Sequence, residues 1–336
     1  MTSIYKYKKN RMNSTQHIPK AEIHVHLEAT ITPELCRKFA KRNNVQISED
    51  IFGSKYAYAW DDFYDFIEKY DLVTSVIHTP EDYRELTYNY LKECAQNNVI
   101  YVEAMISSTH AKLKGMSYHT FLEGVAEGAK QAEKDFDIVS KYIMNGIRHL
   151  GPESVQKTAE EVLNNKHIDL VGFGLAGDEL HFPPKIFSKT FDMLNEAKFP
   201  ITVHAGEWDG PEKIYDAINL LHPKRLGHGV RSIEEPALVE KIKELDIVLE
   251  TCPTSNIATK IYKSYQDHPV KKLFDEDVKI TVNSDDPPFF NASISGEYEV
   301  MKKLGLSDDE LTSLTKNAVN YAFCDELTKK RLLNKI

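Results

Sequence analysis

Two histidines one residue apart, His24 and His26, stand in the apolar run AEIHVHL (21–27). Alternate side chains of a β-strand share a face, so both imidazoles of this pair leave such a strand in the same direction. Two ring nitrogens on one face are half of a metal site, although a lone His-x-His pair is more often ordinary packing. Four more residues stand where other apolar runs end: His204 in TVHAGE, His228 in RLGHG, and Asp285 and Asp286 in TVNSDDP. Three neutral imidazoles and one carboxylate suit Zn²⁺, and a catalytic zinc keeps one position open for water or substrate. The expected ligands are His24, His26, His204 and Asp285, holding one zinc ion per chain. Water on zinc ionises at a pH of about 7, which makes a nucleophile available under neutral conditions. His228 can orient that nucleophile. Glu207, three residues past His204, can serve as general acid, and Asp286 can fix the substrate.

Absences narrow the chemistry. The chain has neither the His-Glu-x-x-His of helix-borne zinc peptidases nor the Pro-Cys-x-x-Cys of cytidine-type deaminases. The run LVGFGLA (170–176) carries no lysine of the kind that bridges two metals, so a single ion is expected.

Residues this far apart converge only if the runs are neighbouring strands whose ends share a face. Eight runs alternate with helical patterns: 21–27, 99–105, 139–145, 170–176, 200–205, 225–229, 247–252 and 278–283. This βαβα rhythm predicts a (β/α)₈ TIM barrel, which uses roughly 250 residues and keeps its chemistry at the C-terminal strand ends. The surplus falls mainly between the first two strands, where a helical lid insertion is expected within about 36–98. There Phe63, Phe66, Ile67 and Tyr70 recur at i, i+3, i+4, i+7, an aromatic helix face suited either to packing on the barrel or to covering its mouth. The segment 306–333 reads as a C-terminal helix pair. Residues 1–17 read as a loose tail with Met12 as a candidate start, and 18–336 as one barrel domain.

Arg148-His149 serves equally well as support for the metal site or as scaffold. Cys252 reads as a small buried apolar group, Asp178 and Glu179 as caps of the helix after the fourth strand. The other histidines, His110 and His268 among them, read as surface or structural.

Composition excludes more than it assigns. The 336 residues carry 42 Lys+Arg against 51 Asp+Glu, a net charge of −9, which offers no basic field for a nucleic-acid backbone. Four scattered cysteines fit a reducing, cytoplasmic setting. No apolar run approaches the roughly 18 residues of a membrane span, and the basic N-terminus lacks the apolar core of a signal peptide.

The ordered motifs IPKAEIHVHLE, GFGLAGDE, TVHAGE, RLGHGVR, LETCPTSN and VNSDDPP, from about Ile18 to the C-terminus, resemble the adenosine deaminases of the amidohydrolase superfamily. The resemblance implies zinc-dependent hydrolytic deamination of adenosine or 2′-deoxyadenosine to inosine or 2′-deoxyinosine. It makes a small purine nucleoside the partner. It implies that Glu207 protonates purine N1, that His228 and Asp285 handle the nucleophile and its proton, and that Asp286 contacts N7. The backbone N–H of Gly177 would donate to N3, and His26 would border the substrate as well as bind metal. Phe63, Phe66, Ile67 and Tyr70 match the family's apolar helix over the base. Glu28-Ala29 replaces the Asp-Gly of animal adenosine deaminases, whose Asp contacts the ribose 5′-hydroxyl. A Glu here is usual in adenine deaminases, which take the free base. LAGDE and RLGHG favour the nucleoside, leaving adenine or a modified 6-aminopurine nucleoside as the alternative. Gly174 stands where many relatives have Asp.

Overall fold

A computed structural model describes residues 14–336. Eight parallel strands pair in chain order: β1 (Lys20–His26), β2 (Val99–Ile106), β3 (Val139–Ile147), β4 (Leu170–Ala176), β5 (Ile201–Ala205), β6 (Arg225–His228), β7 (Val248–Thr251) and β8 (Ile280–Val282). The β8 and β1 ends meet through residue 285. The His26 N–H donates to the Asp285 carbonyl at 3.0 Å, and the Asp285 N–H to the His24 carbonyl at 3.3 Å. The architecture is a (β/α)₈ TIM barrel. Its strands are buried on both faces, which is why they read as apolar runs with little alternation; all eight residues of β2 are buried.

The insertion after β1 forms three main helices, α1 (Pro33–Arg42), α2 (Phe63–Thr74) and α3 (Pro80–Gln96). Each start is written locally. The Thr32 hydroxyl accepts the Leu35 N–H, Asp62 accepts the N–H groups of Tyr64 and Asp65, and Thr79 forms a capping box with Asp82. α3 is the crossover helix of the first βαβ unit. α2 lies over the strand ends, with Phe66 packed on Phe289 and Phe290 beyond β8 and Phe63 on Trp208 beyond β5. The helix Asp308–Tyr321, begun by a Ser307–Glu310 capping box, packs across β1 and β8 and covers the barrel seam.

Two boundaries differ from the sequence reading. Residues 1–13 of the expected tail lie outside the described residues, but 14–17 are tied to the barrel. Thr15 is fully buried, its N–H donates to Glu299 at 2.9 Å, and its carbonyl receives the Lys20 ammonium at 2.8 Å. β8 is three residues long where six were expected: the Val278 N–H is still bonded to the Leu273 carbonyl of the preceding helix at 3.1 Å, and pairing with β7 runs only from Ile280 to Val282. Among the described residues no helix is long and apolar enough to cross a membrane.

Candidate active site

The C-terminal strand ends bring one ligand atom each from His24, His26, His204 and Asp285 to within 4.8 Å of one another. Asp285 Oδ1 lies 3.3 Å from His24 Nε2 and 3.4 Å from His26 Nε2. The His24 Nδ1–H donates to Glu250 at 2.8 Å, and Glu250 also accepts the Thr202 hydroxyl at 3.0 Å. That bond fixes the tautomer and leaves the buried Nε2, without an aligned hydrogen bond among the described residues, as the free lone pair.

Electrostatics make the cluster fit a cation. Burial opposes a proton on His24, but Asp285 and Glu250 outweigh it and raise the ring to about 10. Burial keeps His26 down at about 4 and His204 well below the usual imidazole range. The site thus draws one positive charge toward two neutral imidazoles and a carboxylate, which a divalent metal ion satisfies better than a proton. A second grouping, His24, His228, Cys252 and Asp285, meets the same distance criterion. Burial pushes the Cys252 thiol well up, so it stays a neutral and poor ligand.

Close packing holds the rings. A Cβ on Gly227 would stand 2.9 Å from His24 Cε1 and 3.0 Å from His204 Nδ1, so β6 passes behind the imidazoles only as glycine. His228 and Asp285 have φ of 60° and 63°, the left-handed region that non-glycine residues enter at a cost. Strain at two adjoining functional groups marks a site whose geometry is imposed by the fold around it.

His228 Nε2 lies 3.5 Å from Glu207 and 3.7 Å from Asp285. A relay sets its tautomer. The Val270 N–H donates to His268 Nδ1 at 3.1 Å, so His268 Nε2 carries the proton given to Asn256 Oδ1 at 3.1 Å. The Asn256 amide in turn donates to His228 Nδ1 at 3.2 Å, which leaves the His228 proton on Nε2, facing the site. Burial holds both imidazoles near 3, hence neutral.

Glu207 sits in the loop after β5. Burial raises its carboxyl well above the usual range, with Asp285 and Glu179 adding to the shift. Asp286 is raised for the same reason, burial first and the Asp285 charge second. Glu179 does not cap the helix after β4. One of its oxygens accepts the N–H groups of Glu207, Trp208 and Asp209 at 3.2, 2.8 and 3.1 Å, tying the β4 and β5 loops together. Asp178 instead accepts the His181 N–H. Arg148 is fully buried and donates to the carbonyls of His204 and Phe182, both at 2.6 Å, which resolves its open reading toward support of the metal cluster.

Beyond the cluster lies a partly open cavity. Asp286, Gly177, Phe63, Phe66, Ile67 and Tyr70 line it, as do His26, Glu207 and His228. Gly177 has φ of 100°, and a Cβ there would meet His149 at 2.9 Å, so only glycine turns its backbone into this space. Glu28 is the exception. The chain leaving β1 enters a one-turn helix (Glu28–Thr30) that turns this side chain toward β2, where it accepts the Ser107 N–H at 2.9 Å. It is buried, and it is not among the residues lining the cavity.

Sequence reasoning missed several groups. Glu250, Asn256 and His268 act through neighbours and carry no strand-end signature. Trp208, Phe290, Asp71 and His110 also line the cavity, as does His149, whose role the sequence left open together with that of Arg148. Of the missed residues only Trp208, beside Glu207, had a legible signal.

The "Adenosine deaminase" family model matches residues 19–336. A protein named adenine deaminase from Sinorhizobium medicae is 41% identical over 320 residues, covering 95% of this chain and 98% of that protein. A crystal structure of adenine deaminase from Arthrobacter aurescens superposes with a TM-score of 0.88 at 29% identity, over 95% of this chain and 98% of that one. An apo N6-methyl-AMP deaminase from Arabidopsis thaliana superposes with a TM-score of 0.83 at 25% identity, over 95% of this chain and 96% of that one. With the family model matched across almost its whole length, this chain belongs to the adenosine deaminase family of the amidohydrolase superfamily, whose members are hydrolytic deaminases acting on C–N bonds.

Proposed function

We propose that this chain hydrolyses the 6-amino group of free adenine, consuming water and giving hypoxanthine and ammonia, at one zinc ion held by His24, His26, His204 and Asp285. One observation carries the reading: two buried carboxyls with raised pKa, Glu207 and Asp286, flank the ligand cluster inside an aromatic-walled cavity. The bound ion supplies Lewis acidity and a water-derived nucleophile near neutral pH. The chain's own groups do the rest. Glu207, kept protonated, donates to purine N1 and makes C6 electrophilic. Its neighbour His228 presents an Nε2–H to the incoming oxygen and orients it. Asp285 accepts the nucleophile's proton, which departs with ammonia. Asp286 on the other side of C6 hydrogen-bonds N7, and Gly177 N–H reaches N3. The α2 aromatics exclude water, which strengthens each of these polar contacts.

Adenine is favoured over adenosine, the substrate that the motifs put first. Relatives at 41% identity are named adenine deaminase. Glu28, at the position where the animal enzymes' Asp contacts a ribose hydroxyl, accepts the Ser107 N–H and is not among the residues lining the cavity. LAGDE and RLGHG do not separate the two substrates, because they build the Glu207 loop support and the His228 turn, which face the purine ring that base and nucleoside share. Among the described residues no Lys or Arg lines the cavity, so a nucleotide phosphate would lack a cationic partner.

The test is kcat/KM for adenine, adenosine and 2′-deoxyadenosine on one zinc-loaded preparation, before and after chelation. Adenine should lead by about ten-fold or more. The Glu207→Gln variant should keep its metal while losing about 10²-fold or more in turnover. A wild-type lead for adenosine overturns the substrate, and undiminished turnover in Glu207→Gln overturns the acid.

A further inference from the structure

One group of polar side chains in the cavity has no part in the chemistry above. Asp71, from α2, meets His110, from the short helix α4 (Ser108–Leu113) that follows β2, with His110 Nε2 3.2 Å from Asp71 Oδ1. His149, after β3, lines the same cavity and lies within electrostatic reach of both. The His110 side chain is nine-tenths buried and its ring stands 5.9 Å from that of Tyr70. Its Nδ1 is buried and has no hydrogen-bond partner among the described residues. An imidazole that donates Nε2–H to a carboxylate keeps Nδ1 as an acceptor. A buried acceptor with nothing to accept is costly, so it is expected to meet a donor on a ligand.

The barrel order says which donor. Resting on the purine reading above, C6 must face the metal cluster of β1, β5 and β8. N1 faces Glu207 after β5, N3 faces the β4 end, and N7 faces Asp286 after β8. N9 lies on the five-membered ring between N3 and N7, on the side away from N1, so it faces the strand ends that run from β4 round to β1 on that side of the barrel, those of β2 and β3. These are the ends that carry His110 and His149. A free 6-aminopurine has a hydrogen on N9, whereas a nucleoside has a glycosidic carbon there.

We propose that the Asp71–His110 pair is the specificity element of this site, with His110 Nδ1 accepting the N9–H of a free purine base and Asp71 holding the imidazole in the accepting tautomer. A nucleoside leaves that acceptor unpaired and presses its sugar against the pair. Because Asp71 belongs to α2 and His110 to the β2 end, the same contact seats the aromatic helix over the base.

The experiment compares adenine, 9-methyladenine and adenosine as substrates for zinc-loaded wild type, His110→Ala and Asp71→Ala. Asp71 is half-exposed, so its variant folds even if the buried substitution does not. Wild type should prefer adenine to 9-methyladenine by about 10²-fold, since a site built to pair a hydrogen rejects the analogue without it. In His110→Ala that ratio should fall at least about ten-fold, mainly through a higher KM for adenine, with metal content unchanged. Asp71→Ala should move the ratio the same way by a smaller factor. A wild type that prefers adenosine ends the free-base reading and this proposal with it. A wild type that prefers adenine, with an adenine to 9-methyladenine ratio that neither variant changes, overturns the proposal and leaves the free-base reading standing.

Discussion

Asn145 and Gly174 face each other across β3 and β4, and together they explain a departure from the family pattern. A Cβ at 174 would fall 2.0 Å from Asn145 Oδ1, so the Asn145 carboxamide fills the space that a side chain at 174 would need. The Asn145 amide nitrogen is 3.4 Å from His26 Nδ1, and its buried oxygen has no partner among the described residues. Turning the carboxamide over would bring that oxygen to the ring, where it accepts the Nδ1 proton and frees Nε2 for a metal. Asn145→Ala should therefore bind zinc about ten- to a hundred-fold more weakly, measured by competition with a chromophoric chelator. Equal affinity would mean that His26 needs no such partner. His24, with Glu250 on Nδ1, shows the same device more strongly. Neither helper was legible in the sequence, because a residue that orients a ligand obeys no spacing rule. The candidate ligands were legible because strand periodicity and strand ends govern their placement.

The elements behind His228 show how loops acquire rigidity. Asn256 lies in the helix Pro253–Ala258, whose first turn is covered by Glu297 from the helix Ile294–Lys303. The Thr254 N–H is shared between the two Glu297 oxygens at 3.3 and 3.4 Å. Burial raises Glu297 from 4.5 to about 8, against the Thr254 hydrogen bonds and with added repulsion from Glu22 and Asp285. Between those values the folded state holds a proton that the unfolded state has released. This group's contribution to stability is therefore full below about 4.5 and is lost as pH rises toward 8. Glu297→Gln removes the titration, so its denaturant midpoint should gain on wild type between pH 5 and pH 8. A constant difference between the two proteins across that range would contradict the burial argument. The aromatic stripe of α2 was readable from the sequence because it is local. Glu179 was misread because a carboxylate that ties three amides of another loop looks, in one dimension, like a helix cap.

At the scale of the molecule, one buried cation ties the barrel together below the site. Arg225, at the start of β6, donates to Glu103 of β2 at 2.7 Å and to the Tyr321 carbonyl at 3.1 Å. Its Nε lies 2.5 Å from Glu250 of β7, an ion contact without hydrogen-bond alignment, and its guanidinium stacks 3.7 Å from the Phe323 ring. Arg225→Met leaves two buried carboxylates unpaired and should cost about 3–5 kcal/mol in chemical denaturation. Restored stability in the Glu103→Gln, Glu250→Gln, Arg225→Met triple variant would confirm that unpaired charge, not lost packing, is the cause. The sequence by itself determined the barrel, the four metal ligands as candidates, and Glu207, His228 and Asp286 beside them. These follow from periodicity and from positions at strand ends, where topology leaves little choice. Only the tertiary structure decided what stands across the cavity from them. Glu28 turned to Ser107, the Asp71–His110 pair joined the cavity lining, and Asn145 filled the place left by Gly174. Those outcomes depend on how side chains from distant strands share one small volume, and no single segment of the chain encodes that competition.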